Sequence, residues 1–319
     1  MQHPNVYDFH LDRVIGELTR IVSFWGKGGV GKTTCSSSAA VWLANRGLKV
    51  LLVSSDQAPS LSDILGLKLS SQPKAVNGLP LWAAEIDEDS VIKLWKQRFG
   101  EEVYEVVSSF LPVDQEIIDY IAGAPGIGFQ FMLWYILKEK NSGEYDCIIW
   151  DTAPAGGSLS LLKIEHQLYT HLGDAAKLYM KVKSTLERIR RKKRDPLRLI
   201  SRWRKLAEDV LKMLSSEDFK CYIVAIPEWL GYSQTIRIVE ELGRFEIKVG
   251  GIIVNQVFER GECSCKSWDK RASIHAKYVE MFKKRFEGLL PVRTIPVLPV
   301  EIKGLNPLLE FAEYIKDIL

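Results

Sequence analysis

Residues Gly26-Lys27-Gly28-Gly29-Val30-Gly31-Lys32-Thr33-Thr34 have the spacing of a phosphate-binding loop: a glycine, four residues, then Gly-Lys-Thr. The chemistry that spacing serves is capture of a nucleoside triphosphate. Its glycines let backbone N–H groups between Gly28 and Thr34 turn inward around phosphate oxygens, where no Cβ would fit. Lys32 is placed to reach the β- and γ-phosphates, and the Thr33 hydroxyl to ligate Mg²⁺. A second candidate is Asp151, which ends the apolar run Tyr145-Asp146-Cys147-Ile148-Ile149-Trp150. An acid at the end of a strand in the same sheet suits the second acidic element of a phosphate-loop site, which holds Mg²⁺ directly or through water.

Such a loop must be held between a strand and a helix. Ile21–Trp25 reads as the strand, and Lys32–Asn45 as the helix, closed by Gly47. Lys49–Ser54 reads as a second buried strand that delivers Ser55–Asp63 to its C-terminal end, where α/β sheets keep their ligands. Leu79–Ile86, Tyr145–Asp151, Cys221–Glu228, Val249–Val254 and Thr294–Pro299 complete seven strand candidates that alternate with helices. The pattern predicts one α/β domain over 1–319, a doubly wound, mostly parallel sheet. Two helical insertions, 89–144 and 163–217, are expected to form a helical subdomain. In the first, Val91, Leu94, Trp95, Phe99, Val103, Val106, Val107 and Phe110 recur on one helix face. In the second, Leu178, Val182, Leu186 and Ile189 form one stripe, and Ile200, Trp203, Ala207, Val210 and Leu214 another. These stripes serve either packing within a helical layer or an apolar surface for a partner.

The net charge of +3 conceals an asymmetry. Lys177 to Lys205 holds thirteen Lys or Arg against Glu187 and Asp195, a local +11 that leaves −8 elsewhere. A solvated face is one reading of 177–205; an acidic partner or an anionic membrane surface is another. Nucleic acid ranks last, because neither interleaved aromatics nor a nucleic-acid motif accompanies the charge. The opening residues Met1–Asp8 lack the basic and apolar regions of a signal peptide, and Ile127–Leu137 is too short to span a bilayer. A cytoplasmic protein is expected. Cys35, Cys147 and Cys221 read as small buried hydrophobes.

With Lys27, the loop Lys-Gly-Gly-Val-Gly-Lys-Thr is similar to the deviant phosphate loop of dimeric ATPases such as the MinD/ParA proteins and the nitrogenase iron protein. Within that group the chain resembles the arsenite-pump and tail-anchored-protein-targeting ATPase family. Ser55-Asp56-Gln57-Ala58-Pro59-Ser60-Leu61-Ser62-Asp63 resembles the family's switch I, and Asp151-Thr152-Ala153-Pro154 opens a switch II. Ile226-Pro227-Glu228 and Ile253-Val254-Asn255-Gln256 match its nucleotide-binding Glu and Asn, and Pro296–Gly304 its adenine loop. The resemblance implies ATP and Mg²⁺ as ligands and a nucleotide-gated homodimer. It makes Asp56 the group that orients the attacking water, and sends Lys27 across the interface to the other subunit's nucleotide. Asn255, Pro299 and Val300 would meet adenine, and Glu228 the nucleotide of its own subunit or of the other.

This chain departs from the pattern in three places. Gln57 and Pro59 replace the family's switch I Pro and His, and Ala155-Gly156-Gly157-Ser158-Leu159-Ser160 lacks the switch II His and Arg. Cys263-Ser264-Cys265 shortens its Cys-x-x-Cys, a pair that in the family joins its symmetry mate around one interface Zn²⁺. Zinc, a redox pair and two free thiols all stay open. The resemblance implies an ATPase delivering a hydrophobic, tail-anchored membrane-protein client. The alternatives are the ATPase subunit of an arsenite or antimonite efflux system, and a MinD/ParA-like regulator on a membrane surface. One phosphate loop and no cysteine triplet count against the efflux system.

Overall fold

A computed structural model describes residues 19–56, 60–110, 113–124, 126–153, 196–261 and 265–319. Its sheet is built from β1 (Arg20–Trp25), β2 (Val50–Ser54), β3 (Lys74–Val76), β4 (Leu81–Glu85), β5 (Cys147–Asp151), β6 (Phe219–Ala225), β7 (Val249–Val257) and β8 (Val292–Pro296). The strand order is β3-β4-β2-β5-β1-β6-β7-β8. Every pairing is parallel except β3 with β4. The expected doubly wound α/β sheet is therefore present, with one strand more than the seven expected. β3 has only three residues at the edge, too few for an alternating pattern to show.

Parallel sheets are covered on both faces, so their strands are apolar throughout. Alternation then divides each strand between two cores. Val22, Phe24, Leu52, Ile149 and Val224 face α1 (Lys32–Asn45), α2 (Ser60–Leu65) and α10 (Leu305–Ala312). Ile21, Trp25, Leu51, Val53, Ile148, Trp150 and Ile223 face a helical layer on the other side. That layer comprises α3 (Glu88–Trp95), α4 (Glu101–Phe110), α5 (Ile117–Ala122), α6 (Ile127–Ser142) and α7 (Pro196–Leu214), with α8 (Trp229–Arg244) beside it. The last long helix, α9 (Lys266–Phe286), packs Phe282 and Phe286 against β6 and β7.

The helical run expected from 89 to 144 is broken into pieces. A π turn, Lys96–Gly100, separates α3 from α4 and resets which side chains share a face. Most of the stripe is nevertheless spent on packing. Val91, Trp95 and Phe99 are buried, and Leu94 and Val103 lie partly buried against the same core. In α7, Ile200, Ala207, Val210 and Leu214 are buried. The Trp203 indole of α7 donates to Glu102 Oε2 at 3.0 Å, tying α7 to α4. The stripe 178–189 and most of the basic run lie outside the described residues. Among the described residues no helix is long and apolar enough to cross a membrane.

Candidate nucleotide site

Register explains why distant residues meet. Phe24 of β1 and Ser54 of β2 both pair with Asp151 of β5, so these three strands end at one level. Beyond β1 the chain turns at Gly26, where a Cβ would collide with the carbonyl of Val224 on β6. Gly31 caps α1 at φ 94°, and a Cβ there would run into the Asn255 amide. Lys32 is buried, and its ammonium donates to the Lys27 carbonyl at 3.2 Å, closing the loop on itself. The Lys27 side chain is exposed on the rim.

Behind the loop lies the acid. Thr33 Oγ1 donates to Asp151 Oδ2 at 2.7 Å, and Ser54 Oγ donates to the same oxygen at 3.3 Å. Asp151 is fully buried, yet among the described residues its Oδ1 finds no hydrogen-bond partner. Burial pushes its carboxyl up to about 6, against the opposing pull of the Thr33 hydrogen bond and the Lys32 charge. Burial likewise lowers the Lys32 ammonium, while Asp151 and Asp56 act to keep it charged. The Asp56 amide donates to Ser54 Oγ at 3.3 Å. Asp56 also lines a polar cavity of about 720 Å³ with Ser62, Glu85, Lys68 and Lys303.

The opposite side of the loop is held by β7. Asn255, buried, donates from Nδ2 to the Val30 carbonyl at 2.9 Å, and its Oδ1 accepts the Gln256 amide at 2.9 Å. Gln256 has a left-handed backbone, φ 56°, and its Nε2 donates to the Gly29 carbonyl at 3.4 Å. Glu228 and Lys27 line a small cleft together with Leu230, and the Glu228 carboxylate pairs with Arg271 of α9 at 2.9 Å. Pro299 and Val300 are exposed on the loop after β8, the strand beside β7.

Residues 19–317 match the anion-transporting ATPase family. The chain belongs to that family. Among its relatives is "ATPase GET3" of Komagataella phaffii, 30% identical over 303 residues, covering 91% of this chain and 88% of that protein. "ATPase get3" of Schizosaccharomyces pombe is 29% identical, covering 90% and 88%. "ATPase get3" of Pyrenophora tritici-repentis is 30% identical, covering 95% and 93%. As a member of the anion-transporting ATPases, this chain hydrolyses ATP.

The residues present fit Mg²⁺. Thr33 and Asp151 converge, and Asp151 keeps one buried oxygen without a partner among the described residues, beside a hydroxyl, a donor set for a hard cation that also takes phosphate oxygens. They would hold the ion, which when bound neutralises charge on the β- and γ-phosphates. Zinc fits less well. Cys265 is exposed at the start of α9, and Cys263 lies outside the described residues. Among the described residues no cluster of three or more His, Cys, Asp or Glu forms.

The phosphate loop, Asp56 and Asp151 thus come together, as does Asn255, whose amide grips the loop in this anion-transporting ATPase. Glu228 stands at the rim, engaged with Arg271. Two further residues contribute: Ser60, within the switch I stretch, and Glu85, which carries no motif. Ser60 Oγ lies 3.4 Å from Thr33 Oγ1, and Glu85 holds the head of α2 through Leu61 and Ser62. A signal for Glu85 exists in hindsight: like Asp151, it is an acid closing an apolar strand.

Proposed function

We propose that this chain is a Mg²⁺-dependent ATPase that works as a nucleotide-gated homodimer in the cytoplasm and binds and delivers hydrophobic, tail-anchored membrane-protein clients. The observation that carries the reading is the match, over nine-tenths or more of this chain, to ATPases named GET3 in a chain with a single phosphate loop. In the site, Lys32 and the loop amides bind the phosphates, Thr33 and Asp151 hold Mg²⁺, and Asp56 orients the attacking water. Lys27, exposed on the rim, reaches the nucleotide of the second subunit, with Glu228 beside it. Asn255, Pro299 and Val300 take the adenine. An interface Zn²⁺ would draw on Cys263 and Cys265 of both subunits, because one chain offers too few thiolates.

The helical layer of α3–α7 is the client's platform. Among its described residues, Tyr120 is the one large apolar side chain that is exposed. The stripes of α3 and α7 turn inward, so exposing them to a client requires these helices to part, and capture should depend on nucleotide. The test is retention of a tail-anchor helix in solution by the purified protein, with and without Mg-ATP. Capture only with nucleotide supports the reading; no capture, while a control chaperone binds, removes it.

The family's anion-transporting members favour a second reading, an ATPase driven by arsenite or antimonite. Three thiols close together would be needed, but Cys35, Cys147 and Cys221 are buried. Stimulation of ATP turnover by antimonite would restore this reading. Residues 177–205 would serve an anionic membrane surface in either case, a role that vesicle sedimentation with a salt titration checks.

A further inference from the structure

Two indoles lie directly behind the nucleotide site. Trp25 is the last residue of β1, next to Gly26, and Trp150 stands next to Asp151 in β5; both are fully buried. Their rings meet edge to face at 6.4 Å and 75°. Phe129 of α6 completes the triangle, 5.8 Å from Trp150 and 6.5 Å from Trp25. The three rings therefore join the phosphate-loop strand, the strand of the Mg²⁺ acid, and the helical layer.

A buried indole N–H needs an acceptor. That of Trp150 finds Ser55 Oγ at 3.1 Å. Ser55 is the first residue beyond β2, where sheet pairing ends. Its hydroxyl passes the bond on to the Asp151 carbonyl at 3.4 Å, and its amide donates to the same carbonyl at 3.1 Å. Asp56 follows immediately. The residue before Asp56 is thus gripped from β5 at three points, and one of them is the indole nitrogen. Phenylalanine at position 150 would keep much of the ring packing and donate nothing.

We propose that Trp150 is a positioning residue for Asp56, and that Phe129, packed on its ring, makes the helical layer the element that sets this position. A close-packed ring cannot shift without its neighbours, so displacement of α6 is felt at Ser55. The proposal rests on the reading of Asp56 as the residue that orients the attacking water. Trp150 is fully buried in the core beneath the site and acts on Asp56 only through Ser55.

The experiment compares Trp150→Phe, Ser55→Ala, the double variant, Phe129→Leu and Asp56→Asn. Amide hydrogen exchange over residues 54–56 is followed in nucleotide-free protein, and kcat and KM for ATP are measured separately. Loss of one partly buried hydrogen bond should speed exchange and lower kcat by about 5–10-fold in Trp150→Phe, with KM held within about twofold. The double variant should be no worse than the poorer single. Phe129→Leu should shift both readouts in the same direction by a smaller factor. Faster exchange with unchanged kcat, or effects of Trp150→Phe and Ser55→Ala that simply multiply, would overturn the assignment. Unchanged readouts in Phe129→Leu would overturn the role given to the helical layer. If Asp56→Asn turns over normally, the reading of Asp56 falls, and the proposal with it. Exchange in Trp150→Phe then shows separately whether the indole holds the segment.

Discussion

Replacing Glu85 by alanine removes the acceptor for three donors at the head of α2. Glu85 closes β4 and is 9% exposed. Its Oε1 accepts the Leu61 amide at 2.9 Å and the Ser62 amide at 3.4 Å, and its Oε2 accepts the Ser62 hydroxyl at 2.5 Å. The carboxylate thereby faces the positive end of a short helix. Hydrogen bonds to a charged acceptor contribute about 1.5–3 kcal/mol each when buried. The long Ser62 amide bond adds little, and water from the adjoining cavity can solvate Ser62 in part. A loss of about 3 kcal/mol is therefore expected, which for a chain of this size lowers Tm by about 4–5 °C. Function should fall too, since α2 begins at Ser60, whose hydroxyl meets Thr33. Glu85→Gln keeps one acceptor oxygen but turns an amide toward Ser62, so about half the loss is expected. Thermal melting and phosphate release measure the two effects. A Glu85→Ala protein that melts within about 1 °C of wild type and hydrolyses ATP normally would refute the reasoning.

Three further outcomes follow from the site. With an ATP analogue, adding Mg²⁺ should raise the melting temperature, and chelation should reverse the gain; Asp151→Asn should lose the Mg²⁺-dependent part while still folding. Gly31→Ala places a Cβ on a left-handed backbone and against the Asn255 amide, so nucleotide binding by titration calorimetry should fall at least about tenfold, and retained affinity would contradict the loop geometry. His275 is buried, and its Nδ1 accepts the Phe258 amide at 3.0 Å. Burial lowers its pKa below the ordinary 6.5, Arg271 adds to the shift, and Glu228 opposes it. The folded state then binds fewer protons than the unfolded one. The stability His275 contributes is complete above about 6.5 and declines as pH falls below that value. His275→Gln should flatten urea midpoints between about pH 6.5 and 5, and an unchanged slope would remove His275 as the cause.

Local chemistry was readable from the chain alone. The phosphate loop is a backbone device, and its glycine spacing with Lys32 and Thr33 states the binding mode without any tertiary contact. The helix Lys32–Asn45 and its stop at Gly47, φ 90°, follow from propensity and a left-handed cap. Strands buried on both faces announce themselves as apolar runs, which is why the α/β sheet was recoverable and the three-residue β3 was not. Only the folded chain decided what those runs place together. Asp151 lies about a hundred residues beyond Thr33, at the head of α1, and Ser54, at the end of β2, and parallel register brings all three to one level. Periodicity marks a helix face as apolar but cannot say what covers it, so the stripes of α3 and α7 could equally have faced a client until the layer showed them turned inward. The same limit hid Glu85 and Trp150. A hydrogen-bond partner is chosen by proximity in space, and nothing in the spacing of residues 55, 62, 85 and 150 records that they meet.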